Sequence, residues 1–137
     1  MIAPSRRAGP NVVDSSAWLQ YFADAVGAKH FAGAIEAVER LVVPSICLLE
    51  VFKVVLRQRG EGDALQAVAL MQQGRVVTLD AALALASAQA GIEHKLPPAD
   101  SIVYATAQAV RGVVWTQDEA FKGLPGVEYF ERRAGHP

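Results

Sequence analysis

Cysteine is nearly missing from this 137-residue chain, where Cys47 stands alone in an apolar run. A lone thiol forms no internal bridge, so a disulfide-stapled scaffold is excluded and a reducing cytosol is the expected home. Long apolar runs are missing too. Hydrophobic residues make up 52% of the chain and mean hydropathy is +0.21, yet no run reaches the roughly 18 residues of a membrane-spanning helix. The opening "MIAPSRRAGP" has two arginines with no apolar stretch behind them. It lacks the form of a secretory signal and reads as a short disordered leader over residues 1–10. Glycine-rich phosphate loops of either common pattern are absent, so nothing supports a nucleotide cofactor. The histidines, His30, His94 and His136, have no metal-ligand spacing with one another or with Cys47. Each reads as a surface residue. No Ser-His-Asp or Cys-His nucleophile set is visible, and no repeat or linker divides the chain.

Neither sign of charge is in large excess, the net charge being −1. With four of its 14 acids gathered in one site, the remaining ten would face 13 Lys and Arg, a mildly basic remainder compatible with a polyanionic substrate.

What the sequence does contain is an alternation of short β-branched runs with longer helical patterns. Strands are predicted at 11–13, 41–43, 76–79, 113–116 and 127–130. Helices are predicted at 15–26, 29–40, 46–60, 63–74, 81–91 and 98–112, with a short helical turn at 118–122. In the first helix Trp18, Leu19, Phe22 and Val26 share one face. Ser45, Asp63 and Asp80 read as helix caps, Gly27, Gly60, Gly74 and Gly112 as stops, Pro98 suits a first turn, and the small side chains of the Ala-rich 81–91 helix allow close packing. Strands alternating with helices predict one α/β domain over 11–131, with a flexible tail at 132–137. Its core would be a mostly parallel sheet of about five strands with helices on both faces. In such sheets ligands bind beyond the carboxyl ends of the strands.

Four acids fit that crevice. Asp14 ends "NVVD" and Asp118 follows "VVWTQ", so both lie just past strand ends. Each also suits a helix cap. Asp100 follows Pro97 and Pro98 into a first helical turn, where the macrodipole favours an acid by about 0.3–1 kcal/mol. Glu50 lies within "ICLLEVFKVVL", on a face shared with Cys47 and Val54; Lys53 would be its partner if it were merely a surface ion pair. Four carboxylates brought together repel and cannot all stay ionised without a counter-charge. No base accompanies each of them, so a hard divalent cation is the economical answer, and magnesium or manganese accepts oxygen ligands of this kind. Such an ion activates water near neutral pH and neutralises charge growing on a phosphoryl group.

The order of these acids is similar to that of the PIN domain family, and in particular of the VapC-type toxins of toxin–antitoxin pairs. The stretches that carry the resemblance are "VVDSSAWLQYF", "VPSICLLEVFKVVLRQ", "LPPADSIVYATA" and "VVWTQDEAFKGLPGVE", in family order from Asn11 to about Phe130. The resemblance implies a small α/β sandwich whose acidic pocket is formed by Asp14, Glu50, Asp100 and Asp118. It also matches Thr116 to a threonine before the last acid and Ser15 to a small hydroxyl residue after the first. It further implies a Mg²⁺- or Mn²⁺-dependent endoribonuclease, usually dimeric and held inactive by a cognate antitoxin. Many relatives carry a further acid two residues past the position of Asp118; here Ala120 stands there, which leaves a complete second metal site unsupported.

Within that frame Asp14 and Asp118 are the expected direct metal ligands, because strand ends are rigid mounts. Asp100 is expected as a direct or water-mediated ligand, and Glu50 as the group that holds the attacking water. Thr116 and Ser15 are expected to orient carboxylates or waters. Lys53, Arg57 and Lys95 are candidates to grip phosphate, and the aromatic helix around Trp18, Tyr21 and Phe22 is a candidate wall of a protein-binding groove. Two other readings stand beside this one. The first is a PIN-like protein that binds RNA or a partner without catalysis. The second is a receiver-like switch using Asp14, Asp80 and Thr116, although it lacks the acidic pair and the final lysine of that design.

Overall fold

A computed structural model describes residues 9–23 and 26–132. Five strands form the centre: β1 (Asn11–Val13), β2 (Leu41–Pro44), β3 (Arg75–Val77), β4 (Val113–Thr116) and β5 (Val127–Tyr129). They pair in the order β3-β2-β1-β4-β5, every pair parallel. Parallel neighbours need a crossover, and the helices supply it: α1 (Ser15–Ala23), α2 (Lys29–Glu36), α3 (Ser45–Arg59), α4 (Glu61–Met71), α5 (Ala81–His94) and α6 (Pro98–Val110). Helices cover both faces of the sheet, with α3 packed on α4 and α5 on α6.

Burial follows position in the sheet. Val12, Val13 and Val114 of the two central strands are fully buried, and burying such a side chain stabilises by about 1.5–3 kcal/mol relative to leaving it exposed. The edge strand β3 begins with exposed Arg75, a charge that discourages pairing with another sheet edge.

Several boundaries differ from expectation for local reasons. The second helix breaks at Ala37, whose ψ of 70° is not helical, and a single 3₁₀ turn covers Val38–Arg40. Ser45 is the first helical residue of α3 and makes no capping bond; Pro44 holds the cap position. Asp63 lies in the first turn of α4, which begins at Glu61. Val26 is 48% exposed and does not continue the buried face of α1; residues 24 and 25 of that expected helix lie outside the described set. So do residues 1–8 of the expected leader, 133–137 of the tail, and His136. At residue 10 the chain already meets the sheet, since the Pro10 carbonyl accepts the Val113 amide at 2.9 Å.

Two glycines work by different means. Gly60 has φ of 94° and ends α3 in a conformation that other residues avoid. Gly91 does not stop α5, which continues to His94. A Cβ there would sit 2.5 Å from Ser101 Oγ, so Gly91 lets α6 approach α5 closely. Asp80 caps α5 as expected, accepting the Leu83 amide at 2.8 Å.

Candidate metal centre

Because β1 and β4 are neighbours in register, the residues that follow them meet. Asp14 continues the ladder by one bond, its amide donating to the Trp115 carbonyl at 3.1 Å. Its side chain is only 3% exposed. Ser16 Oγ donates to Oδ1 at 2.7 Å and the Ala17 amide to the same oxygen at 3.1 Å. Thr116 Oγ1 donates to Oδ2 at 2.8 Å. Asp14 therefore caps α1 and faces the crevice at once, so the two readings of an acid after a strand are not alternatives. Asp118 does the same, accepting the Ala120 amide on Oδ1 at 2.9 Å and starting a 3₁₀ turn over Glu119–Phe121.

Thr116 is fully buried and joins the two acids. The hydroxyl that donates to Asp14 also accepts the Asp118 amide at 2.9 Å. Asp100, half-buried in the first turn of α6, completes the group. Carboxylate oxygens of Asp14, Asp100 and Asp118 all lie within 4.8 Å of one another.

This proximity is visible in the protonation equilibria. Burial pushes Asp14 up to about 6, against the hydrogen bonds from Ser16, Thr116 and Ala17 that favour its charged form. Asp100 is pushed up to about 7, first by desolvation, then by the charge of Asp118 and a hydrogen bond shared with it, with Asp14 and Glu50 adding smaller effects. The cluster thus resists carrying its full charge. A hard divalent cation relieves that stress, and an all-carboxylate donor set suits it. Softer metals have no thiolate here. Cys47 is buried, its Sγ lies 3.9 Å from the Val13 carbonyl, and burial beside Asp14 and Glu50 pushes its thiol up.

The acids line a cavity of about 430 Å³ with Ser15, Ser16, Leu19, Gln20, Glu50, Val54, Val103, Gln117 and Arg132. Glu50 reaches this cavity but stands outside the three-acid group. Ser15 Oγ donates to Glu50 Oε1 at 2.6 Å, so Ser15 orients Glu50 whereas Thr116 orients Asp14. Lys53, Arg57 and Lys95 do not line the cavity; the basic side chain that does is Arg132. Ser16 was also not singled out from the sequence. The only signal for it was a second hydroxyl two residues past Asp14, the spacing of a side-chain turn. Its Oγ also accepts the Gln117 amide at 3.2 Å, tying α1 to the end of β4.

The remaining candidates go elsewhere. Asp80 follows the edge strand β3, which β2 separates from β1. A receiver places its third strand beside its first, so the expected pairing of Asp14 with Asp80 does not form. His30 stacks on Phe130 at 4.5 Å. His94 packs on Tyr104 at 4.9 Å and is only 16% exposed, so it is not the surface residue expected. In α1, Trp18 is buried and stacks on Phe22 at 5.5 Å. Leu19 and Phe22 line a second cavity of about 500 Å³ with Val55, Arg59, Asp63 and Leu70, and it shares Leu19 and Val54 with the acidic one.

With this geometry in hand, comparisons identify relatives. The family model of the PIN domain matches residues 12–127. Among solved structures, a toxin–antitoxin complex from Klebsiella pneumoniae aligns with 24% identity and a TM-score of 0.73, over 90% of this chain and 100% of that one. The sarcin-ricin loop cleaving toxin VapC20 of Mycobacterium tuberculosis aligns with 18% identity and a TM-score of 0.70, over 86% and 97%. DNA-bound VapBC from Salmonella typhimurium aligns with 17% identity and a TM-score of 0.67, over 90% and 98%. At these identities the likeness is one of fold. No curated protein sequence matches the chain significantly.

Proposed function

This chain belongs to the PIN domain family, and from that membership and its acidic cluster we propose that it is a divalent-metal-dependent endoribonuclease, the toxin of a toxin–antitoxin pair. The observation that carries the reading is the convergence of Asp14, Asp100 and Asp118 within 4.8 Å at the carboxyl edge of the sheet. Magnesium or manganese held there would supply charge neutralisation at the phosphodiester and water made nucleophilic near neutral pH.

The chain's own residues divide the remaining work. Asp14 and Asp118, mounted on the ends of adjacent strands, hold the ion. Asp100 joins them directly or through water. Glu50, held on one oxygen by Ser15, orients the attacking water and accepts its proton. Thr116, bonded to Asp14 and to the Asp118 amide, keeps the two ligands in one geometry. Attack by water leaves a 5′-phosphate on the downstream fragment.

The antitoxin reading is supported by the names of the similar structures and by the second cavity, whose apolar wall of Leu19, Phe22 and Leu70 suits a partner segment. We place the protein in the cytoplasm as a homodimer. Among the described residues no helix is long and apolar enough to cross a membrane.

Cleavage of RNA by the purified chain, with Mg²⁺ and with EDTA, tests the reading. Cleavage in Mg²⁺ that disappears in EDTA and in Asp14→Asn or Asp118→Asn supports it. Full activity in those variants rejects the site. Binding of RNA and metal without any cleavage favours the non-catalytic relative, a reading that Ala120 keeps open.

A further inference from the structure

The acidic cavity has a single cation in its described lining, Arg132. Its position is set by what precedes it. Strand β5 pairs with β4, with Thr116 opposite Tyr129. The Phe130 amide then donates to the Thr116 carbonyl at 2.9 Å. The Phe130 ring stacks on His30 at 4.5 Å and on Trp115 at 6.1 Å, each with interplanar angles of 14°. The backbone bond and the aromatic stack therefore fix the chain two residues before Arg132, beside the strand end that carries the site.

Among the described residues Arg132 makes no ion pair or hydrogen bond, although four carboxylates line the same cavity. The rest of the described lining offers no second cation, and the Ser15 and Ser16 hydroxyls donate to Glu50 and Asp14. Leu19, Val54 and Val103 are apolar, and Gln117 Nε2 donates to Gln20 Oε1 at 3.1 Å. A phosphodiester entering such a cavity meets net negative charge even when a divalent ion is bound. A guanidinium at the wall offsets that repulsion and matches two phosphate oxygens at once.

We infer that Arg132 is the substrate-binding residue of this cavity, gripping a phosphate of the RNA backbone next to the clustered acids. The inference rests on the ribonuclease reading and adds to it the group that admits the polyanion.

The test compares Arg132→Gln and Arg132→Lys in two settings. In the first, each is combined with Glu50→Gln, which keeps the three clustered acids, and binding of a fluorescent single-stranded oligoribonucleotide is followed in Mg²⁺ across a salt series. Arg132→Gln is expected to weaken binding about tenfold and to make the slope of log K against log salt shallower by about 0.7, the value for one phosphate contact on a single strand. Arg132→Lys is expected to keep the slope and regain part of the affinity. In the second setting, with Glu50 intact, Arg132→Gln is expected to raise KM and leave kcat within a few-fold. Unchanged affinity and slope in an enzyme that cleaves would overturn the assignment while sparing the ribonuclease reading. So would tighter Mg²⁺ binding with unchanged RNA affinity, which would make Arg132 an internal counter-ion. If the parent chain neither binds nor cleaves RNA, the ribonuclease reading fails and the role of Arg132 fails with it.

Discussion

Two side-chain pairs tie β1 and the residue after it to the end of β4, one from each end of β1, and both bury polar atoms. Near the start, Trp115 Nε1 donates to Asn11 Oδ1 at 3.1 Å. At the finish, Thr116 Oγ1 donates to Asp14 Oδ2 at 2.8 Å. Asn11 is 2% exposed and Asp14 is 3%. By burial and bonding alone the two pairs are nearly alike. They differ in charge and company. Asn11 is neutral, and its bond satisfies both atoms, which is how a buried polar pair joins a core at small cost. Asp14 ionises beside Asp100 and Asp118 and is pushed up to about 6. Burial of a satisfied neutral group reads as structure, whereas burial of a charge among like charges reads as a site.

Substitution separates the two pairs most sharply. Asp14→Asn keeps the shape and most of the bonds but removes the charge proposed to hold the ion. RNA cleavage is expected to fall on the order of 10³-fold, the loss of several kcal/mol of charge stabilisation, while the metal-free protein at pH 7 should melt higher because the buried charge is gone. Asn11→Leu removes the acceptor of Trp115 Nε1 and should do the reverse. It is expected to lower stability by about 1–3 kcal/mol while activity per folded molecule is kept, as urea unfolding and cleavage assays would show.

The pH dependence of stability is the next test. Asp14 is raised in the folded state from 3.8 to about 6. A raised group contributes its stability fully below the unfolded pKa and loses it as pH rises through the folded one. The metal-free protein should therefore lose on the order of 3 kcal/mol between about pH 4 and pH 7 through this residue. Asp14→Asn should flatten that slope, Asn11→Leu should leave it unchanged, and Mg²⁺ should restore stability at the upper end. Unfolding curves across this range, with and without metal, measure all three.

Thr116→Val tests the link between the pairs. It removes a hydroxyl that serves both Asp14 and the Asp118 amide. Metal affinity or cleavage should fall about 10–100-fold, read by titration. The smallest effect belongs to Asp80→Ala, which removes the cap of α5. It should cost about 1 kcal/mol and leave cleavage unaltered, as thermal melts and initial rates would show.

The end of the ladder that carries the site was legible in the sequence because strand periodicity is short and its stops are sharp. "NVVD" and "VVWTQD" put Asp14 and Asp118 past strand ends, and the parallel topology then made them neighbours. Glu50 was harder. Helical spacing gives the direction of a side chain but not its distance, and Glu50 stands on the cavity wall outside the three-acid group. Ser16 and Arg132 were hidden for different reasons. A serine beside Ser15 carries no period of its own, and Arg132 reaches the cavity only because Phe130 is anchored to Thr116 and to His30, contacts between residues far apart in sequence. The close packing of α5 was legible in its small side chains, and Gly91 is where α6 comes close. The Asn11–Trp115 pair was invisible, since it joins positions 104 residues apart.

Titration of the metal-free protein with Mn²⁺ at pH 7, followed by calorimetry or by the electron spin resonance of the free ion, tests the central claim most directly. The expected result is a saturable site in the wild type that releases protons on binding, because Asp14 and Asp100 are pushed up to about 6 and 7. That site should be lost or much weakened in Asp14→Asn and kept in Asn11→Leu. Equal Mn²⁺ binding by the wild type and Asp14→Asn, or none by the wild type, would contradict it.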